Sequence, residues 1–393
     1  MSASNATASA NAPRAVSYKG ITVFRPPHQI GECDSTVPKF NYVVAQAGNM
    51  SGAFTTSGIN LKFKLPKAIG TVFATTLRFL VNNATAAAVA APPSPHWVES
   101  IEISIGSNKI ETLYPDDIYN ETVGFLSLDE LGAVRTTLNA SASDYLSGAS
   151  LPVGGSYVYL PFNSCLTTAR IYNKGIKEDV EFQVNFPANL FAGAAVTLSD
   201  LVLVVEEDTH SNGDEDNKWN SASNQTLVYN TVVRQRQTVS IQRTSGNKQT
   251  IDLTSLKGNS AGIIVYSNTG AKPNGSNAAA LTARYPIDTL ELNNQMGNKR
   301  TEELRGEWLR AYAWTDNIRT SYANAVPTYL IPFSANFRQA VQEGRNCGSI
   351  LFESSDRLVL GAAAATRAEN ISITNYLYSQ IVISGGKYFT TNQ

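Results

Sequence analysis

Two short stretches, Tyr157-Val-Tyr-Leu-Pro-Phe162 and Tyr329-Leu-Ile-Pro-Phe333, decide the fold of this chain. Each is typical of a β-strand that ends in an apolar residue, proline and phenylalanine. Because proline has no backbone N–H to donate to a strand ladder, it marks the point where the strand leaves its sheet. The repeated motif consists of Leu160, Pro161 and Phe162 in the first copy and Ile331, Pro332 and Phe333 in the second.

The same succession follows both copies of the motif. Residues 163–174 and 334–345 are each long enough for about three helical turns. Glycine then ends the segment, at Gly175 in the first copy and at Gly344 or Gly348 in the second, and a new strand begins.

The helix of the second copy can be predicted in more detail. We expect Ser334 to be its N-cap, because a serine side chain can accept a hydrogen bond from the first free backbone N–H groups. Helical spacing places three apolar residues on one face, and these are Phe337, Ala340 and Val341.

A second pair of segments also repeats. Trp97–Gly106 and Ile287–Asn294 each predict a strand that leads through a polar turn into an acidic outgoing segment. In the first of these, Gly106-Ser107-Asn108 separates Ile101–Ile105 from Lys109–Leu113, which indicates a hairpin.

Between the repeats lie many short segments with β character. Ile59–Leu65 alternates apolar and polar residues, and Thr226–Val233 and Val239–Ile241 are predicted as two further strands. A short helix with a capping box is predicted from Ser127 to Leu138. Many short strands at turn-marked intervals favour an all-β protein built of sandwiches over a parallel α/β sheet.

Charge is scarce in this sequence of 393 residues. Lys and Arg total 31 against 32 Asp and Glu, and charged residues make up 16 %, compared with roughly 25 % in ordinary globular domains. A basic face for gripping phosphates is therefore not expected, and neither is direct sequence-specific nucleic-acid binding. Two short basic segments contain too few basic residues to form such a patch, and these are Arg234-Gln-Arg236 and Lys299-Arg300.

The residues that could support catalysis or metal binding are few. His28, His96 and His210 lie far apart and are predicted as ordinary surface or loop histidines. Gly258–Gly262 matches the G-x-S-x-G pattern, but every histidine precedes its serine, so we interpret it as a turn. Cys33, Cys165 and Cys347 are too few and too widely spaced for a disulfide framework or zinc site, and we expect free thiols.

Acidic and aromatic groups give no clearer sign of a reaction. Asp116-Asp117 and Asp129-Glu130 could be posed as glycosidase carboxylate pairs, but nothing in the sequence brings them together. Asp214–Asn217 is predicted as part of a solvated linker, and Trp308 and Trp314 as packing residues of a short helix. We therefore predict no catalytic, cofactor-binding or metal-binding residues, and a protein that is not an enzyme.

Taken with their helices and with the strands at Trp97–Ile105 and Ile287–Leu292, the two proline motifs resemble the double jelly-roll major capsid proteins. That family includes coat proteins of tailless, membrane-containing icosahedral bacteriophages and, more distantly, of large eukaryotic DNA viruses of the adenovirus-like lineage. The resemblance covers roughly residues 35–390. It implies two consecutive eight-stranded jelly-roll β-sandwiches with short helices in the inter-strand loops.

The domain boundaries implied are a flexible N-terminal arm (1–20), a first jelly roll (21–207), a linker (208–224) and a second jelly roll (225–393). The resemblance further implies pseudo-hexagonal homotrimers that tile an icosahedral virion shell and contact neighbouring capsomers. Penton or minor capsid proteins would be further partners, with an internal membrane beneath the N-terminal arm. Exposed or inter-capsomer loops are expected around Ala84–Pro95, Ala140–Gly155, Asn268–Ala280 and Thr315–Ala325.

Residues 1–15 lack the basic start and apolar stretch of a signal peptide. We therefore expect synthesis in a host cytoplasm and a final location in the virion capsid. Two alternatives stay open from the sequence. One is a carbohydrate-binding or carbohydrate-cleaving two-sandwich protein, such as a spike or a secreted glycosidase, and the other is a minor capsid protein of the same lineage.

Overall fold

A computed structural model of the chain describes residues 15–18, 21–24, 36–46, 52–53, 58–91, 94–125, 149–188, 190–191, 195–210, 226–270, 284–294, 296–309, 327–385 and 387–392. The strands of the first half are β1 (Ala15–Tyr18), β2 (Ile21–Phe24), β3 (Thr36–Val44), β4 (Gly52–Ala53), β5 (Ile59–Lys64), β6 (Thr71–Asn83), β7 (Val89–Ala91), β8 (Ser100–Ile105), β9 (Asn108–Leu113), β10 (Ala149–Leu151), β11 (Gly154–Phe162), β12 (Val180–Phe186) and β13 (Val196–His210).

The strands of the second half are β14 (Thr226–Arg243), β15 (Gln249–Asp252), β16 (Gly258–Asn268), β17 (Arg284–Tyr285), β18 (Thr289–Asn293), β19 (Leu304–Arg305), β20 (Tyr329–Pro332), β21 (Ile350–Phe352), β22 (Arg357–Leu360), β23 (Arg367–Ser384) and β24 (Lys387–Asn392). The helices are α1 (Pro115–Phe125), α2 (Cys165–Ala169), α3 (Gly306–Trp308) and α4 (Phe337–Glu343), and 3-10 turns occupy Ser94–Trp97 and Asn173–Gly175.

Each half contains two main sheets with the same strand order, and β7 and β10 form an additional two-stranded sheet in the first half. In the first half the larger sheet has the order β11-β6-β13-β3 and the smaller sheet the order β5-β12-β8-β9. The second half repeats this arrangement strand for strand: its larger sheet has the order β20-β16-β23-β14 and its smaller sheet the order β15-β22-β18-β19. Eight strands in this order form a jelly roll, so the prediction of an all-β double jelly roll is confirmed.

Alternation of apolar and polar residues explains how the strands form sandwiches. In β5, Leu61 and Phe63 are buried, while Lys62 between them and Lys64 after them are exposed. In β12 every second residue from Val180 to Phe186 is buried. Because side chains alternate across a strand, one face of each sheet supplies the core between the two layers.

The two sequence repeats occupy equivalent positions in the two halves. The proline motifs lie in β11 and β20, which pair with the equivalent strands β6 and β16. The second pair of segments gives β8 and β18, each paired on both sides within its smaller sheet. The predicted hairpin joins β8 to β9, and Gly106 in its turn has a φ of 60°.

Three details of the strand prediction differ from the structure. Trp97 lies in a 3-10 turn and not in a strand. Thr226–Val233 and Val239–Ile241 are parts of the single 18-residue strand β14. Gly258–Gly262 is not a turn, because it begins strand β16 and its Ser260 is fully buried.

The helices after the proline motifs are shorter than the segments predicted for them. The cap of α4 is Asn336, whose side chain accepts a hydrogen bond from the Gln339 N–H, so the prediction of Ser334 as N-cap is wrong. Ser334 is instead buried two residues before the cap. Gly344 ends the helix with a φ of 65°, a left-handed conformation that glycine adopts without strain. The buried residues of α4 are Phe337, Ala340 and Val341.

The segment expected to be an arm contains a strand in its described part. Ala15–Tyr18 pairs with Ile21–Phe24, and the latter pairs in parallel with the start of β14. Ile21–Phe24 therefore extends a sheet of the second half, where a strand edge would otherwise leave backbone groups unpaired.

Several predicted features fall outside the described residues. They are residues 1–14, His28, Cys33, the helix at 127–138 with Asp129-Glu130, most of the linker with Asp214–Asn217, Trp314, and most of the predicted exposed loops. Residues 208–210 of the predicted linker belong to β13. No helix among the described ranges is long and apolar enough to cross a bilayer.

Candidate functional site: the junction between the two sandwiches

The junction between the halves is formed by α1, β9 and α2 of the first half against the outer face of the larger sheet of the second half. Pro115 starts α1 directly after β9, a position where its missing N–H costs no hydrogen bond. Asp116 and Asp117 lie in the first turn of the helix. They meet the side chains that β14, β16 and β23 direct away from the sandwich core.

Arg234 of β14 forms the most buried part of this contact. Its guanidinium donates to Glu111 Oε1 at 2.8 Å and to Glu121 Oε2 at 2.7 Å. The arginine side chain is 1 % exposed and that of Glu111 0 %. Glu111 also accepts hydrogen bonds from the backbone N–H groups of Arg234 and Cys165, at 3.0 and 2.7 Å. Every charge in this group thus has a hydrogen-bonded partner, as a charge removed from water requires.

Asp116 lies at the centre of a second group of contacts. Its carboxylate accepts hydrogen bonds from Arg236 Nη2 and Arg284 Nη2, both at 3.1 Å. It also accepts one from the Tyr266 hydroxyl at 2.7 Å and lies 3.3 Å from His96 Nε2. Residues from both halves therefore surround one carboxylate.

The surroundings change the pKa values of these acids in opposite directions. Burial alone would raise the pKa of Asp116, but the hydrogen bond to His96 and the charges of Arg236 and Arg284 bring it well below its ordinary value. Burial raises the pKa of Asp117 and of Glu121, although Arg236 and Arg234 respectively oppose the shift. Buried carboxylates whose charge is balanced by neighbouring arginines occur in structural ion pairs as well as in active sites.

Apolar packing and two hydroxyl groups complete the junction. Leu227, Tyr229, Ile381 and Ile383 of the second half pack within the core cluster of the first half. The Thr168 hydroxyl of α2 donates to the Val341 carbonyl of α4 at 2.9 Å, and the Thr231 hydroxyl of β14 donates to the Cys165 carbonyl of α2 at 2.6 Å. The second half therefore contributes apolar residues to the core of the first half, in addition to the ionic contacts.

The structure places several candidate residues in this junction rather than in a reactive cleft. His96 lies in the 3-10 turn between β7 and β8, as a loop residue would, but it is only 5 % exposed and is therefore not a surface residue. Arg234 and Arg236, set aside as a thin basic patch, face α1. Asp116 and Asp117 are covered by these arginines, and the free thiol Cys165 is buried beside them.

Sequence reasoning did not identify Glu111, Glu121 or Arg284 as parts of this site. The available signal was weak: Arg234 and Arg236 interrupt a segment that otherwise alternates like a strand. Their partners lie more than 110 positions away in the sequence. Across the described ranges, no group of three or more His, Cys, Asp or Glu side chains is arranged to hold a metal ion.

Comparison with solved structures identifies the same arrangement of two jelly rolls in virus capsid proteins. VP54 of the virus PBCV-1, which has been fitted into a reconstruction of the virophage Sputnik, matches with a TM-score of 0.67 and 12 % identity. The match covers 92 % of this chain and 98 % of VP54. The Faustovirus major capsid protein matches with a TM-score of 0.57 and 8 % identity, over 90 % of this chain and 91 % of that protein.

A chain from the structure of Sulfolobus turreted icosahedral virus matches with a TM-score of 0.53 and 14 % identity, over 87 % of this chain and 90 % of that chain. No protein-family model matches the sequence, and a search of curated proteins gives no significant match. The fold is thus the double jelly roll found in major capsid proteins of icosahedral viruses. The resemblance predicted from the sequence is confirmed at the level of the fold.

Proposed function

We propose that this chain is a structural, non-enzymatic major capsid protein whose homotrimers tile an icosahedral virion shell. The observation that carries the proposal is the pair of sandwiches with identical strand order, which match VP54 over 92 % of this chain. Two equivalent sandwiches in each of three copies would give a block with near-sixfold symmetry, a shape that tiles a flat facet.

The junction supports this function because it fixes one sandwich against the other. Subunits of a shell must present the same contacts repeatedly, so a variable angle between the halves would oppose assembly. A shared core and fully paired buried charges leave the halves little freedom to change their relative position.

Composition supports the same proposal. Obligate interfaces are more apolar than free surface and are depleted in charged residues, and this chain contains few charged residues. We infer that neighbouring capsomers cover much of its flanks. Penton or minor capsid proteins and an internal membrane beneath the N-terminal segment are the further partners that the proposal includes.

Native mass spectrometry of the purified full chain tests the proposal. The expected species has about three times the 42.4 kDa mass of one chain. A stable monomer at micromolar concentration would contradict it. The copy number of the chain in purified particles separates a major coat protein from a minor one, because only the major protein would account for most of the shell mass.

A further inference from the structure

Both sandwiches direct equivalent connections between strands towards one end of the molecule. In the first half, the connections from β5 to β6, from β8 to β9 and from β11 to β12 lie at this end. In the second half, the equivalent connections join β15 to β16, β18 to β19 and β20 to β21. The two sets meet at the junction, where Asn108 of the first half and Tyr388 of the second line one cleft.

This end collects exposed basic side chains that are distant in the sequence. The lysine face, as we define it, consists of the exposed residues Lys64, Lys67, Lys109, Lys177, Lys257, Lys299, Arg345 and Lys387. Exposed acidic residues are fewer at the same end of the described chain, and these are Asp252, Glu343 and Glu353. Both sandwiches contribute to the lysine face, so no single segment of the sequence shows it.

Ion pairs neutralise only part of the lysine face. Lys64 Nζ lies 2.5 Å from Asp179 Oδ2. The other members with a carboxylate oxygen within 4.0 Å are Lys67, Lys109, Lys299 and Arg345. Within the described residues, Lys177, Lys257 and Lys387 form no ion pair. The face therefore keeps an excess of positive charge.

The opposite end of the molecule shows no such excess among its described residues. Its exposed charged side chains have both signs, and these are Glu99, Lys248, Asp288, Arg305 and Glu307. The near-neutral composition thus conceals a separation of charge between the two ends. The expectation from composition that the chain has no basic face is wrong at the end that carries the lysines.

Two exposed aliphatic residues lie among these basic side chains. Met296, between β18 and β19, is 88 % exposed, and Leu351 of β21 is 51 % exposed. Arg300 links their positions, because it follows the Met296 turn and its Nη2 donates to the Leu351 carbonyl at 2.6 Å. Basic residues beside exposed apolar ones are typical of surfaces that lie in a lipid interface. Single-stranded nucleic acid is instead bound through aromatic side chains that stack on bases.

We propose that the lysine face binds a bilayer that contains anionic lipid, with Met296 and Leu351 at the boundary between headgroups and acyl chains. Lysine carries its charge on a flexible stem and can reach phosphate groups at different depths. Each basic residue near such a surface strengthens binding roughly fivefold. The proposal rests on the proposed coat function, and it assigns the membrane contact to folded parts of both sandwiches rather than to the N-terminal segment.

Sedimentation of the full chain with lipid vesicles tests this assignment. We expect binding to vesicles of phosphatidylcholine and phosphatidylserine in a ratio of roughly 2:1, and none to vesicles of phosphatidylcholine alone. Binding should weaken as the salt concentration rises from about 0.1 M to about 1 M, because salt screens exposed charges. Equal binding to both kinds of vesicle would overturn the proposal.

Two matched double variants locate the contact on the molecule. Lys257→Gln/Lys387→Gln should lower the partition coefficient about 25-fold, at roughly fivefold per residue. Lys248→Gln/Arg305→Gln removes two exposed basic residues from the opposite end of the same half and should change binding less than about twofold. All four residues are exposed, so both variants should keep the thermal unfolding midpoint of the wild type. Equal losses of binding would show that total charge, and not the lysine face, decides the affinity.

Met296→Trp reports on the apolar part of the contact. Lipids with brominated acyl chains should quench this added tryptophan in anionic vesicles, beyond any quenching seen in the wild type. An added tryptophan that stays unquenched would overturn the contact with the acyl boundary. Binding of duplex DNA by a chain that ignores anionic vesicles would overturn the choice of lipid as the partner.

Deletion of residues 1–14 should leave vesicle binding unchanged. If the deletion abolished binding while the lysine variants bound normally, the contact would belong to the N-terminal segment and the proposal would be overturned. A wild type that is trimeric by native mass and binds no vesicle would overturn the role of the lysine face and leave the coat function standing. A monomeric wild type that binds anionic vesicles would overturn the coat function alone.

Discussion

Arg234 contacts two carboxylates in a region that excludes water. Its partners Glu111 and Glu121 come from β9 and α1, while the arginine belongs to β14, so the pairs join the two halves. Desolvation offsets much of the attraction in such a group, and its net contribution to stability is small. Removing one member of the group lowers the stability strongly, because the remaining charges stay buried without an opposite charge.

We expect Arg234→Met to lower the free energy of unfolding by about 3–5 kcal/mol, the range for breaking a buried pair from one side. Chemical denaturation followed by tryptophan fluorescence measures this change. Arg357→Met is the matched control: Arg357 Nε lies 2.8 Å from Asp252 Oδ1, but the side chains are 43 % and 61 % exposed. Its loss should cost less than about 1 kcal/mol, and equal effects of the two variants would contradict the role assigned to burial.

Asp116 gives a prediction about pH. Its folded-state pKa lies well below the ordinary value of 3.8, so the stability it contributes is fully present above that value. This contribution is lost as the pH falls from about 3.8 towards the lower folded-state pKa. The stability difference between wild type and Asp116→Asn should therefore be largest near neutral pH and should shrink below pH 4.

Thermal unfolding of both proteins between pH 2.5 and 7 checks this. Asp117→Asn serves as the comparison, because burial raises the pKa of Asp117 and its ionised form is disfavoured. That variant should lose less stability than Asp116→Asn at neutral pH. A stability difference between wild type and Asp116→Asn that grows on acidification would contradict the expected direction of this pH dependence.

At the scale of elements, Phe337 is the largest of the three buried residues that pack α4 against its sheet. Phe337 is fully buried and packs edge-on against Tyr376, with 4.9 Å between ring centroids. A Cβ on Gly262 of the neighbouring strand would lie 2.8 Å from the Phe337 ring. The close approach of helix and sheet therefore requires glycine at this position.

Phe337→Ala should lower the free energy of unfolding by about 3–5 kcal/mol, because it removes a buried ring and leaves a cavity. Denaturant unfolding measures the loss. Gln339→Ala on the same helix is the control, since the Gln339 side chain makes an exposed hydrogen bond to Glu343 one turn later, at 3.1 Å. It should change stability by less than about 0.5 kcal/mol. If the two variants behaved alike, the packing role of Phe337 would be wrong.

The predictability of each element from the sequence depended on how local its cause was. The strand, proline and helix of each repeat follow from backbone chemistry within about 25 residues, and the structure contains them at equivalent positions. The N-cap of α4 differed by two residues because Ser334 and Asn336 are both competent caps. Strand β14 was divided in two because Arg234 and Arg236 break its apolar alternation, and their acidic partners lie on the distant β9 and α1.

The contacts of the candidate site were not predicted, because the residues that form them are distant in the sequence. Nothing near His96 in the sequence indicates that Asp116 and Tyr119 will enclose it. The motif residues Leu160 and Ile331, by contrast, sit in apolar runs that predict burial, and both are buried. Local patterns thus predicted the sandwiches, while the contacts between sandwiches required the three-dimensional arrangement.

At the scale of the whole molecule, the core of the first half is completed by residues of the second half, which also has a core cluster of its own. The first-half cluster includes Leu227 and Tyr229 from β14 and Ile381 and Ile383 from β23. Removing the second half would expose the first-half residues that pack against these four side chains. It would also expose the acidic residues that pair with Arg234 and Arg236. The chain should therefore unfold in one cooperative step, because the first sandwich loses part of its core and the partners of its buried acids when the second is removed.

A cut between the halves tests this cooperation directly. A protease site inserted between Asn217 and Lys218, within the polar stretch predicted as a linker, allows the backbone to be cleaved after folding. Because the shared core and the buried ion pairs do not depend on that connection, the two fragments should stay together. They should elute where the uncut chain elutes under native conditions and separate only in denaturant.

The same cut in the Arg234→Met variant should release the fragments at a lower denaturant concentration, whereas the Arg357→Met control should behave like the wild type. Fragments that part spontaneously in native buffer would show that the covalent link, and not the junction, holds the two sandwiches together.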